Sequence, residues 1–135
     1  ILSSICLGLG LIAPLIDFNE SHATNPLWTG HARFHLVWQV NALAVTGFFV
    51  LFLLWIVPSQ MNILISISLL YIWLLSFLFA LLFLPLYDGK LNDVNGVPPV
   101  EVKFFKKKIE IDRNVQAISG GLFACTFALL LVLFN

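Results

Sequence analysis

Residues 34–85 read FHLVWQVNALAVTGFFVLFLLWIVPSQMNILISISLLYIWLLSFLFALLFLP, without one Asp, Glu, Lys or Arg. The only break in this apolar run is Pro58-Ser59-Gln60, which cuts it into two halves. Each half exceeds the roughly 20 residues that an α-helix needs to cross a hydrocarbon layer about 30 Å thick. The stretch therefore predicts two spans, residues 34–57 and 61–85, joined by a tight turn.

Working outward, residues 115–134 form a third such run, and residues 1–16 a shorter one that begins without methionine. The latter is expected to be a true span whose first residues are missing or processed. A secretory signal needs a basic leading segment and a small-residue cleavage site, and no basic residue precedes Arg33. Of the 135 residues, 60% are hydrophobic and 10% charged, against roughly 25% charged in a soluble domain. The fold class expected is all-α: a single integral membrane domain, residues 1–135, built as a four-transmembrane-helix bundle with two polar loops on one membrane side.

The charges divide accordingly. Arg33, Lys90, Lys103, Lys106, Lys107, Lys108 and Arg113, with Asp17, Glu20, Asp88, Asp93, Glu101, Glu110 and Asp112, all belong to the side of loops 17–30 and 86–114. So do His22, His31 and His35. The basic residues orient that side toward the cytoplasm, with both termini opposite. Asn19-Glu20-Ser21 is a glycosylation sequon that matters only if this side is lumenal. With no charge inside the spans, the chain does not read as a proton pump or voltage sensor, which place ionisable groups at depth.

Helical spacing of about 100° per residue puts His31, His35, Trp38, Gln39, Ala42 and Thr46 on one third of the second span, a polar stripe able to line a pocket open to the polar side. Arg33 points the other way, toward headgroups or a loop carboxylate. Asp112, Gln116, Ser119, Gly120 and Phe123 form a matching stripe on the last span. For Gln39, Thr46 and Ser119 the competing role is hydrogen bonding between helices. Ser3, Cys6, Gly10, Ala13 and Asp17 share a face of the first span, mostly small residues suited to close helix approach. Cys6 and Cys125 lie in apolar runs without CxxC spacing and read as buried small hydrophobes.

His31 and His35, four apart on a helix, are spaced to share a metal ion, with His22, Asp17 or Glu20 completing the set. Against this, a lone HxxxH lacks the repeated boxes of a membrane di-iron site, and no histidine on a partner helix offers a haem ligand. Without metal, the same residues suit acid–base chemistry: His31, His35, Asp17, Glu20, His22 and Asp112 as catalytic candidates, and Trp28, Trp38, Gln39, Thr46, Gln116 and Ser119 as pocket. The substrate class would be a lipid, isoprenoid or sterol-like molecule entering from the bilayer; no cofactor is specified.

Trp28, Trp38, Tyr87 and Phe104-Phe105 gather at the polar side, where aromatic rings favour the headgroup boundary. Loop 17–30, with Asn25-Pro26 and Trp28, is expected to be ordered and folded onto the bundle. The later loop is turn-rich through Asp88-Gly89, Asn95-Gly96 and Pro98-Pro99. It then mixes charge with apolar residues over 100–113, which suggests a short interfacial segment or strand with its lysines toward anionic lipid rather than a nucleic-acid site.

The residues NPLWTGHARFH, 25–35, preceded by DFNESH, resemble a group of small four-span membrane proteins that share an Asn-Pro-x-Trp-x-x-His-Ala-x-Phe-His pattern. That resemblance covers about the first third of the chain and implies that His22, Trp28, His31 and His35 belong together; it carries no activity. Three functions stay open: a membrane enzyme with a pocket below the histidines, a non-catalytic accessory subunit of a membrane complex or homo-oligomer with no pocket, and a lipid-binding or transport helper with a pocket but no convergent catalytic geometry.

Overall fold

A computed structural model describes residues 1–91, 98–104 and 107–134. Asp93, the Asn95-Gly96 turn, Phe105 and Lys106 lie outside them. Four helices pack side by side: α1 (Leu2–Asp17), α2 (Gly30–Trp55), α3 (Gln60–Leu82) and α4 (Arg113–Phe134). The last three are long and apolar enough to cross a membrane. At 1.5 Å per residue α1 extends only about 24 Å.

Boundaries follow local chemistry more than hydropathy. The second helix starts at Gly30, four residues before the apolar run, because the Thr29 hydroxyl accepts from the Ala32 N–H at 3.2 Å and satisfies an otherwise unpaired donor of the first turn. Ser59 caps α3 the same way, accepting from the Asn62 N–H at 3.0 Å. At its far end α3 stops at Leu82, and a 3₁₀ turn, Leu84–Leu86, carries Pro85, which has no N–H to continue the ladder. Within α1, residues Gly8–Ile12 form a π-helical turn in which the Ala13 N–H reaches back to the Gly8 carbonyl. The wide turn lies just before Pro14, whose ring would collide with the carbonyl four residues earlier in a regular α-helix.

Small residues decide how the helices meet. A Cβ on Gly47 would lie 3.0 Å from the Cys6 carbonyl oxygen and 3.2 Å from the Gly10 Cα, so α1 and α2 touch backbone to backbone. Trp55 Nε1 donates to Ser3 Oγ at 3.0 Å. The order Ser3–Trp55, Cys6–Gly47 makes the two helices antiparallel. Similarly, Leu74 fills the space above Gly121, and Tyr71 and Thr126 hydroxyls bond at 2.6 Å, so α3 and α4 are antiparallel. Cys6, Val50, Leu70, Leu74 and Cys125 form the core.

Hydroxyls within the helices mostly turn inward on their own backbone. Thr46, Ser66, Ser68, Ser76 and Thr126 each donate to the carbonyl four residues back, at 2.6–2.9 Å, which spares these groups the cost of facing hydrocarbon unpaired.

Between α3 and α4 stands an antiparallel hairpin, β1 (Val100–Phe104) and β2 (Lys107–Ile111), with Val100 opposite Ile111 and Val102 opposite Ile109. The mixed segment read from the sequence is thus a pair of strands, alternating apolar and charged residues except at Lys107-Lys108.

Candidate functional site

The polar loop after α1 is tied down by two asparagines. Asn19 Nδ2 donates to the Ile16 carbonyl at 2.8 Å, and its Oδ1 accepts from the Ser21 N–H at 2.9 Å and hydroxyl at 2.6 Å. Asn25, only 2% exposed, donates to the Ser21 carbonyl at 3.0 Å and accepts from the Leu27 N–H at 2.9 Å. The loop is compact, and it sets His22 edge-on to Trp28 with ring centroids 5.6 Å apart.

Donor counting fixes the tautomer of His22. Ser21 Oγ lies 2.6 Å from both Asn19 Oδ1 and His22 Nδ1. The amide oxygen can only accept, so the single hydroxyl proton goes there, and His22 must donate from Nδ1. Asp17, one residue beyond the apolar run of α1, is half-buried nearby. Burial pushes its carboxyl above the ordinary range, and the charge of His22 acts in the opposite direction. Glu20 is exposed.

His31 and His35 meet on the first turns of α2, with Nε2 atoms 3.0 Å apart and ring centroids 4.5 Å apart. One ring donates and the other accepts; the contact requires that one, and only one, of these two nitrogens carry a proton. Phe34 and Trp38 extend the group, Trp38 lying 5.9 Å from His35. This row faces outward: both histidines and Gln39 are exposed and Trp38 is 61% exposed. Thr46, lower on the stripe, is half-buried and bonded to Ala42. Gln116 and Ser119 on α4 are likewise exposed. The two polar stripes therefore do not line a common interior.

The cavity lies elsewhere. A space of about 600 Å³ opens between α1 and α4, over a floor of Leu43, Leu74 and Phe77. It exists because the facing residues are small: Gly8 and Ala13 on α1, Ala117, Gly120 and Ala124 on α4. A Cβ on Gly8 or Gly120 would meet nothing within 4 Å. Its walls are mostly apolar, with Ser4 toward one end and Asp17 and Asn114 entering the lining at the other. Of the catalytic and pocket candidates read from the sequence, Asp17 alone belongs to this lining. Gly120, which the sequence placed on the α4 stripe, also lines it, while Asn114 and Gly8 were missed; the paired small residues on two helices were the available signal.

Asp112 has a different occupation. Its Oδ1 accepts from the Asn114 N–H at 2.8 Å and the Val115 N–H at 3.0 Å, capping α4. Asp112→Ala should lower the unfolding free energy by about 1 kcal/mol, read as a fall in thermal midpoint in detergent, whereas Asp112→Asn, which keeps the acceptor, should lie close to wild type.

Among the described residues no group of three His, Cys, Asp or Glu side chains is gathered closely enough to hold a metal ion. The set His22, His31, His35 and Asp17 is thus not assembled into one: His31 and His35 pair outside the bundle, while His22 packs on Trp28 within the loop.

Comparisons with family models, curated proteins and solved structures return no match.

Proposed function

We propose that this chain is a four-span integral membrane protein that binds an elongated lipid-like molecule, isoprenoid or sterol-like among the classes that fit, in the groove between α1 and α4. The observation that carries the reading is the apolar cavity of about 600 Å³ with a carboxyl and a carboxamide at one end. Small-molecule pockets commonly measure ~300–1,000 Å³ and combine apolar walls with a few polar groups that fix orientation. Here the apolar body of the ligand lies along Gly8 and Gly120, and its polar head meets Asp17 and Asn114.

The antiparallel contacts of α1 with α2 and of α3 with α4 support a topology with both polar loops on one side, cytoplasmic by their basic residues. Acid–base chemistry on the bound molecule would fall to Asp17, with His22 modulating its charge. An accessory-subunit role is the second reading, favoured by the outward row of His31, Phe34, His35 and Trp38, which offers a neighbour rings and hydrogen-bonding groups on one face.

Mass spectrometry of the purified protein and of Gly120→Leu separates these readings. The leucine enters open space, so the variant should fold, while its side chain occupies the groove. A co-purifying lipid retained by wild type and reduced at least tenfold in the variant is the expected result; an equal lipid content in both overturns it. A protein partner retained by both, with no lipid in either, selects the accessory-subunit reading.

A further inference from the structure

The register of the hairpin sorts its positions by face. Val100, Val102, Ile109 and Ile111 fall on one side, together with the Phe104–Lys107 pair at the far end, and Glu101, Lys103, Lys108 and Glu110 on the other. On the charged side like charges stand directly opposite, Glu101 across from Glu110 and Lys103 across from Lys108, and the diagonal ion pair of Lys108 with Glu101 relieves the repulsion. On the apolar side Val102, Ile109 and Ile111 are 40%, 45% and 36% exposed. A two-stranded hairpin is at best marginally stable in water unless another surface covers its apolar face.

The place of the hairpin names that surface. Ile111 ends β2, Asp112 caps α4, and Arg113 is its first residue, so no slack separates the strand from an apolar helix able to cross a membrane. Arg113 also donates from Nε to the Pro98 carbonyl at 2.9 Å, which holds the base of the hairpin at the helix mouth. Strands of five residues reach about 17 Å, long enough to lie over the lipid beside the bundle.

We propose that the hairpin lies flat on the bilayer, with Val100, Val102, Ile109 and Ile111 inserted in the interfacial layer and Glu101, Lys103, Lys108 and Glu110 turned to water. For Lys103 and Lys108 this mode differs from the expectation that the lysines turn toward anionic lipid. Lys103 and Lys108 share their face with two glutamates, and those four charges sum to zero. The drive assigned to insertion is therefore the apolar face, with Lys107, opposite Phe104 at the far end of the pairing, the one charged position in register with it.

The full chain is tested in phosphatidylcholine nanodiscs, with an environment-sensitive fluorophore on Val102→Cys or Ile109→Cys and, for the opposite face, Lys103→Cys or Glu110→Cys. Cys6 and Cys125, both 0% exposed, make the unsubstituted protein the labelling control. Probes at 102 and 109 should emit to the blue, be quenched by nitroxide lipids and resist aqueous iodide; probes at 103 and 110 should behave in reverse. Equal iodide access on both faces overturns the proposal. So does protection of 102 and 109 without lipid quenching, which would mean a second copy or another protein covers them, or lipid quenching that appears only after anionic lipid is added.

Discussion

Gly47→Leu is expected to unseat α1 and expose the core thiol of Cys6. At this position even a methyl carbon meets backbone, the Cys6 carbonyl oxygen at 3.0 Å and the Gly10 Cα at 3.2 Å. Side chains can rotate away from an intruder; a facing helix backbone can only retreat. Overpacking of this kind costs about 3 kcal/mol when the neighbours cannot yield, which raises the population of the opened state roughly 100-fold. Cys6 is 0% exposed in the closed arrangement, so the rate of maleimide modification, followed by intact mass, reports the opening directly. Gly120→Leu is the matched control, since its new side chain enters open space and should leave Cys6 protected. A Gly47→Leu protein whose Cys6 reacts as slowly as wild type would show that the close contact of α1 with α2 does not hold the core together.

The contrast between these two glycines also shows why part of the molecule was legible in the sequence and part was not. Long uncharged runs locate the helices within a few residues, because burying unpaired backbone in hydrocarbon leaves the chain little alternative. Asn25-Pro26 and Trp28 mark an ordered loop, and two asparagines do tie it together. Helical spacing correctly groups His31 with His35 on a shared face. What spacing cannot supply is whether that face looks inward.

In a soluble protein the apolar face would answer, but a membrane helix can be apolar all round, since lipid tails are as apolar as a core. The inward side of α2 is set instead by Gly47 against Gly10, and the open groove by Gly8 and Gly120. Equal residues thus have opposite roles, contact in one pair and space in the other. Only the facing helix distinguishes them. The hairpin was half legible for a similar reason: alternation in 100–104 and 108–111 is visible, but the opposition of Glu101 to Glu110 and Lys103 to Lys108 requires the register.

Asn25→Ala should collapse the order of the polar loop while leaving the bundle closed. Asn25 is 2% exposed, and its amide serves two backbone groups, the Ser21 carbonyl and the Leu27 N–H. Alanine leaves both without partners in a buried site, at about 1–3 kcal/mol each. The loop has few apolar contacts to offset that loss, so it should open locally before the helices separate. Phe18 and Leu27 are already 49% and 78% exposed, and once the backbone between them loosens, chymotrypsin should cut there many times faster than in wild type. Cys6 should stay protected, which separates this variant from Gly47→Leu. Asn25→Asp keeps the acceptor for Leu27 and loses only the donor, so its cleavage rate should fall between the two. The loop also adjoins the polar end of the groove: the Ala23 N–H donates to the Asp17 carbonyl at 2.9 Å, and opening it should admit water to the Asp17 carboxyl. The lipid-like ligand proposed for the groove should then leave more readily from Asn25→Ala than from wild type, although no residue lining the cavity has changed. Unaltered proteolysis in Asn25→Ala would mean that Asn19 and the helix ends hold the loop without this hub.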